Sequence, residues 1–474
     1  MITEESKNPV QGFAEDLGEL HQVGDHQLCD PDYQLVSAWA QQSGMSAEDV
    51  LRKLLVVSPD EEIVTEIVAG KFKSISIVST ESQLAIKGIP AIKGLAVEQL
   101  IITGQNLREL DLTLVPGLTV LGCSGNQLSE LDLTPVPALK VLKCSGNQLR
   151  ELDLSPVAEL EQLLCRGNQL TKLDLSPVPN LKKLRCDGNQ LSELDLSSVS
   201  SLDWLRCSDN QLRKLDLSPV TRLTLLGCGG NLLGSLDLTP VPSLLVLKCN
   251  GNQFRKLDFT PVSELIEINC HSNQLSSLDL TSLSKLTMLW CGFNLLRELD
   301  LSPVPMLERL WCGFNQLSRL DLRPVPRLKL LDVYANGLRE LDLSPLPELA
   351  ELYCDDNGLR KLDLSPLPKL KMLGCYGNML GELDLSPVPG LQKLVCYDNA
   401  LDELDLTPVP ELGSLLCGGN KLHELDLSAV PGLTELGCAD NELQQLDITP
   451  LVNLSSLSYD KHQIRLSKRM EQPY

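Results

Sequence analysis

The chain has 474 residues, a formal net charge of −22 and only 4% aromatic residues. That acidic balance repels phosphates and so argues against a nucleic acid or an anionic membrane surface as partner. No apolar run reaches the roughly 18 residues that a spanning helix needs, and the N-terminus, Met1-Ile-Thr-Glu-Glu-Ser-Lys-Asn-Pro, lacks the basic-then-apolar pattern of a secretory signal peptide.

Residues 1–30 are polar and acidic and read as a flexible lead-in. Residues 31–70 read as a small α-helical cap. Leu35, Val36 and Trp39 supply one apolar face. Ser46-Ala-Glu-Asp before Val50, Leu51, Leu54 and Leu55 is a helix start with acids in its first turn. Ser58-Pro-Asp-Glu61 is a capping box with proline at the first helical position. Ile63, Ile67 and Val68 continue the apolar stripe, and Gly70 suits the stop. The stretch Trp39 to Ser46 has a weak helix-turn-helix look, which the acidic charge opposes. Residues 71–96 read as a degenerate first repeat, with Ile75, Ile77 and Val78 as a strand. From 97 to 464 a 21-residue unit recurs, in about 17 regular copies and an imperfect last one. Residues 465–474 form a basic, polar tail.

One copy reads Leu139-x-x-Leu142-x-Cys144-x-x-Asn147-x-Leu149-x-x-Leu152-Asp153-Leu154-Ser155-Pro156-Val157. Such a period specifies stacked units sharing one continuous core. Leu142 and Cys144 alternate with variable residues, the pattern of a short strand with one face inward. Stacked copies then form a parallel sheet. An asparagine at an inward position, from Asn126 to Asn441, is not explained by hydrophobicity; its amide is expected to bond backbone groups in its own and neighbouring turns. Leu-Asp-Leu reads as either a second short strand or an extended segment. Ser/Thr before Pro starts a tight turn, and the second Pro forbids a long helix, so short 3₁₀ turns and little α-helix are expected within the repeats. The recurrent aspartate, Asp111 to Asp447, is expected to accept hydrogen bonds near that turn. Calcium binding by this file is the alternative, but the glycine-rich calcium nonapeptide pattern is absent.

Of the 16 cysteines, all from Cys123 to Cys438 occupy one position of the repeat, and Val333 and Ile102 replace them elsewhere in the file. Exchange with Val and Ile marks the position as apolar, so buried reduced thiols are expected rather than disulfides. A single file cannot converge four ligands on zinc. A reducing, cytoplasmic compartment follows as the expectation. Neither a metal nor a cofactor is expected.

The segment Leu139-x-x-Leu142-x-Cys144-x-x-Asn147-x-Leu149 resembles the strand-and-turn signature of leucine-rich repeats. With its trailing Leu152-Asp153-Leu154, the unit is similar to the 21-residue bacterial class called IRREKO. The resemblance implies a curved right-handed solenoid with its parallel β-sheet on the concave face and short turns on the convex side. It implies protein binding as the usual activity. Some bacterial members are effectors delivered into host cells, often with an attached catalytic domain; the 70-odd residues before these repeats are too few for one. The regular Pro-Val-Pro departs from the general pattern.

A residue kept in every copy serves the stack; an outward departure points to function. Outward positions flank each strand's inward Leu and Cys. Trp290 and Trp311 lie between those two residues in successive copies, and Tyr353 in a later one. Tyr334, Tyr376 and Tyr397 follow the Cys position, Phe293 and Phe314 precede Asn, and Trp204 stands on the same side further back. Exposed aromatics mark interfaces; a stacking ladder that stiffens the sheet is the other reading, with the two Phe packing under the turn. Lys143, Arg166, Lys183, Arg185, Arg206 and Lys248 place positive charge on this side in the N-terminal half, while Asp332, Asp355 and Asp398 stand among the aromatics. Cys270 and His271 are adjacent and point to opposite faces, so they make no nucleophile–base pair, and no phosphate loop appears. The expected function is therefore a non-enzymatic scaffold that binds a protein or peptide through the concave face. A bacterial effector or sensor, acting in a host cell or with an enzyme partner, and a self-associating structural solenoid are the alternatives. The oligomeric state is open.

Overall fold

The structure, a computed structural model, describes residues 98–460 apart from 114, together with the backbone of the strands Leu20–Val23, His26–Cys29, Glu62–Val68, Lys71–Val78 and Arg465–Ser467. The chain divides into two compact units, Met1–Leu212 and Arg213–Tyr474.

In the first unit, Leu20–Val23 and His26–Cys29 pair antiparallel, inside the expected lead-in. Glu62–Val68 pairs antiparallel with Lys71–Val78. This strand stands where the sequence predicts the end of a helical cap. The reason is local: Ile63, Val64, Thr65, Ile67 and Val68 are all β-branched, a composition that favours strand over helix. The remainder of the expected cap, 31–61, lies outside the described residues. Lys71–Val78 then pairs parallel with Gln99–Ile102. Parallel pairing at a constant 21-residue offset continues through Val120–Gly122, Val141–Lys143, Gln162–Leu164, Lys183–Arg185 and Trp204–Arg206. The second unit repeats the arrangement from Leu225–Gly227 to Glu435–Gly437 and adds Ser456–Ser458 as its last rung. Leu-Asp-Leu is an extended segment throughout the described copies except the last, where Gln445–Asp447 pairs parallel with Arg465–Ser467.

Most three-residue strands bury a central Leu, with Ile268 in its place on one rung, and turn their flanking residues outward, as the two-residue alternation of a strand requires. Cys, Val and the remaining Leu of each copy fill the interior; Leu142, Cys144, Leu149 and Val157 are all 0% exposed. Each such leucine contributes roughly 1.5–3 kcal/mol. The asparagine closes the polar account. Asn147 Oδ1 accepts the Leu128 N–H at 3.1 Å, and its Nδ2 donates to the carbonyls of Cys123 (2.9 Å) and Cys144 (3.0 Å). The residue just before each Asn adopts positive φ in every copy from Gly104 to Asp440.

Across the coil, the aspartate file has the expected scaffold role. Asp153 Oδ1 accepts the Ser155 N–H at 2.9 Å, and the same bond recurs at each copy from Asp111 to Asp447. It holds Asp153 below the usual carboxylate range. Two successive i→i+3 turns follow, Val157 N–H to Leu154 O and Leu160 N–H to Val157 O, both at 3.0 Å. The turn is thus a double one rather than single, and no helix forms among the described residues.

The ladder cysteines, Cys123 to Cys438, are buried and free. Burial pushes Cys123 and Cys270 up to about 12, which depletes the thiolate that reacts with electrophiles. Iodoacetamide at pH 8 is therefore expected to leave this file unmodified in the folded protein and to alkylate it fully in urea, read by peptide mass spectrometry. Rapid native labelling of ladder cysteines would contradict the packing described.

Candidate functional site

In-register parallel pairing sets residues 21 apart side by side, about 4.8 Å from each other. Identical outward side chains therefore stack. In the second unit Trp290 pairs with Trp311, and their rings lie 4.3 Å apart at 7°. Both are half-buried. Next in register come Asp332 and Tyr353. The Tyr353 hydroxyl donates to Glu351 Oε2 at 3.2 Å.

A second aromatic row runs beside the first. Phe293 and Phe314 stack at 4.0 Å, Phe314 meets Tyr334 edge-on at 4.5 Å, Tyr334 lies 5.8 Å from Tyr376, and Tyr376 stacks on Tyr397 at 4.3 Å. Between the Trp pair and the Phe pair stand Gly292 and Gly313. A Cβ on Gly292 would sit 2.8 Å from the Gly313 carbonyl, so the backbone leaves no room for a side chain there.

Phe293 and Phe314 occupy the positive-φ position, at +52° and +53°. Nine of the other copies place glycine at this position. A bulky aromatic there is a steric outlier. Neither ring packs under the turn: Phe293 is 54% and Phe314 36% exposed. Leu295 (47%) and Met379 (58%) add exposed apolar surface one residue past the ladder Asn, where many copies carry Gln. The sequence reading passed over these two, although their departure from Gln is visible in the repeat.

Two carboxylates lie among the aromatics. Asp332 Oδ1 accepts the Tyr334 N–H at 2.9 Å, and Asp355 Oδ1 accepts the Tyr376 N–H at 3.0 Å. Each fills a space that a glycine leaves. Asp332 Oδ1 is 2.9 Å from where a Cβ on Gly313 would stand, and the Asp355 oxygens are 2.6 and 2.7 Å from the same point on Gly374. Asp355 is only 5% exposed. Burial, reinforced by the nearby charges of Asp332 and Asp356, pushes its carboxyl up to about 7; burial also raises Asp332. Asp398 is exposed at the turn beside Tyr397.

The basic residues fall mainly in the first unit. Lys143, Arg166 and Lys183 are exposed. Lys183 pairs in register with Trp204, and Arg185 with Arg206. The Arg206 guanidinium lies 5.0 Å from the Trp204 ring centroid. Arg185 is held at 2.8 Å by Asp187, a buried acid that the sequence reading overlooked because it sits two residues away on the same rung. Lys248, in the second unit, pairs with Glu267 at 2.8 Å. Cys270 is fully buried, whereas His271 is half-exposed and contacts Ser272.

No family profile and no curated protein matches the chain. Solved structures do. The functional domain of InlJ from Listeria monocytogenes, which includes a cysteine ladder, is 34% identical with a TM-score of 0.62, over 65% of this chain and 69% of that one. YopM from Yersinia enterocolitica is 27% identical with a TM-score of 0.56, over 90% and 99% of the two chains. A leucine-rich-repeat protein of Leptospira interrogans shares the fold at 22% identity and a TM-score of 0.66, over 72% and 95%.

Proposed function

Because the chain belongs to the leucine-rich-repeat family, whose bacterial members InlJ and YopM it resembles, we propose that it is a non-catalytic interaction module. It binds a protein or peptide on the outward side of its strands, over the tract from Trp290 to Tyr397. The observation that carries this reading is the Phe293–Phe314 pair. Two aromatic side chains remain exposed to solvent on backbone that costs an L-residue roughly 1–2 kcal/mol each, at a position where glycine serves the fold equally well. Strain retained on an exposed surface points to use of that surface. The adjoining Trp and Tyr rings supply large, rigid contact area of the kind that dominates binding energy. The net charge of −22 favours a polypeptide over a nucleic acid. The reduced cysteine file suits action in a reducing compartment.

The test is a comparative pull-down with quantitative mass spectrometry. Trp290→Ala with Trp311→Ala keeps the buried ladder intact, so its urea midpoint is expected close to that of the wild type. Proteins retained by the wild type are expected to be lost from the variant. An unchanged set of retained proteins would remove the aromatic tract from the binding surface.

A further inference from the structure

The carboxylates of Asp355, buried, and Asp332, half-buried, are costly features that the fold does not require. A carboxylate out of water needs a cation or several donors. Asp187, in the first unit, has its cation: Arg185 at 2.8 Å. Asp332 and Asp355 have no ion-pair partner among the described residues, and a backbone N–H is the hydrogen-bond donor recorded for each. A neutral amide performs the hydrogen-bonding task of Asp332 elsewhere on this face. Asn269 stands in the column of Asp332 and accepts the N–H two residues on, from His271, at 3.3 Å. Asparagine at that position would thus serve the backbone and avoid the half-buried charge.

The surroundings are matched to a cation. Along the aromatic tract, the three positions between the inward Leu and the ladder Asn carry Asp332, Asp355, Asp356 and Asp398, and neither Lys nor Arg. Arg309 and Lys393 stand before the inward Leu of their rungs, beyond the Trp290–Trp311–Tyr353 row, and pair with neither carboxylate. Trp311 precedes Asp332 in register and Tyr353 follows it. These two residues are two rungs apart, roughly 9–10 Å, a spacing that would admit one planar group. Tyr353 and Tyr376 flank Asp355 in sequence and register. A guanidinium satisfies both demands of such a slot, stacking on aromatic faces and donating in pairs to a carboxylate.

We propose that Asp332 and Asp355, set between the two aromatic rows, are anchor sites for arginine side chains of the bound polypeptide, so that this face takes a basic segment. The inference rests on the binding function proposed above and adds the chemistry of the partner.

The experiment pans a phage library of random dodecamer peptides against the full chain. The enriched peptides are then synthesised and titrated by tryptophan fluorescence. Arg-containing sequences are expected, with affinity falling at least tenfold on Asp332→Asn with Asp355→Asn and to a similar extent when the peptide's Arg is replaced by Gln. The Asn variant is expected to be at least as stable as the wild type at pH 8, because it removes buried charge. Neutral or acidic enriched peptides, or affinities that the Asn substitutions leave unmoved, would overturn the arginine assignment. If affinity is still lost on Trp290→Ala with Trp311→Ala, the binding function survives that result. If no peptide is enriched, or if the Trp substitutions also leave affinity unchanged, both proposals fail together.

Discussion

Replacing Asn168 by alanine is expected to destabilise the first unit by about 2–4 kcal/mol, a large effect for a single polar substitution. The Leu149 N–H loses its partner, and the Cys144 and Cys165 carbonyls each lose one of two amide donors, keeping Asn147 and Asn189 respectively. Asn168 Oδ1 accepts the Leu149 N–H at 3.1 Å, and its Nδ2 donates to the carbonyls of Cys144 and Cys165, each at 3.0 Å. The side chain is 8% exposed, so water does not replace it without opening the coil. Urea unfolding followed by circular dichroism measures the loss. Asn168→Asp separates shape from donor capacity. Its ionised carboxylate still accepts from Leu149 but opposes two carbonyls, so its folded pKa rises above the ordinary value of about 3.9. Stability relative to the wild type is then highest at low pH and falls as pH rises through the folded pKa. An alanine variant within about 1 kcal/mol of the wild type would show that the ladder is not what satisfies these groups.

Phe293→Gly with Phe314→Gly is expected to leave stability within about 1 kcal/mol of the wild type while weakening partner binding at least tenfold. Glycine relieves the left-handed strain, roughly 1–2 kcal/mol per residue. Against this stand the lost ring stacking, about 0.5–1.5 kcal/mol, and the greater chain entropy of glycine, roughly 0.5–1 kcal/mol per site. These terms nearly cancel. Binding has no such offset, because the two rings present 54% and 36% of their surface to solvent. Ser272→Gly is the control: it carries the same backbone change at φ +54°, one rung before Phe293. It should change neither property much. A drop of several kcal/mol in the double variant, with binding retained, would return the Phe pair to the scaffold.

The coil was legible because its physics repeats. An apolar Cys file, an inward Asn and a Ser/Thr-Pro turn recur at fixed spacing, and the same backbone bonds recur with them. Glu62–Val68 was misread because Ser58-Pro-Asp-Glu61 is a good helix start and its apolar residues also fit a helical stripe; the β-branched content was the better signal. The aromatic positions were legible as departures from the period. Their backbone was not: Phe at the glycine position reads as a sequence exchange, and only the dihedral angle reveals it as strain. The burial of Asp355 and the half-burial of Asp332 were likewise hidden, since the carboxylates occupy space left by the glycines at 374 and 313 on neighbouring rungs. Asp187 shows the same limit, its charge spent on Arg185 rather than offered to solvent.

The asparagine ladder also has a direction. Within each unit, the side-chain bonds that leave an asparagine's own rung reach the rung made before it: Asn189 bonds Leu170 and Cys165, and Asn420 bonds Leu401 and Cys396. No asparagine needs a residue still to come. A rung leaving the ribosome can therefore lock onto finished chain as soon as its own Asn emerges, so translation and folding can advance together, one coil at a time. The same polarity makes the two ends unequal. Removing the last coil leaves every earlier asparagine side chain bonded but frees the Leu N–H that its own asparagine accepted, as Asn441 accepts from Leu422, whereas removing the first takes from the next asparagine its bonds to the coil before.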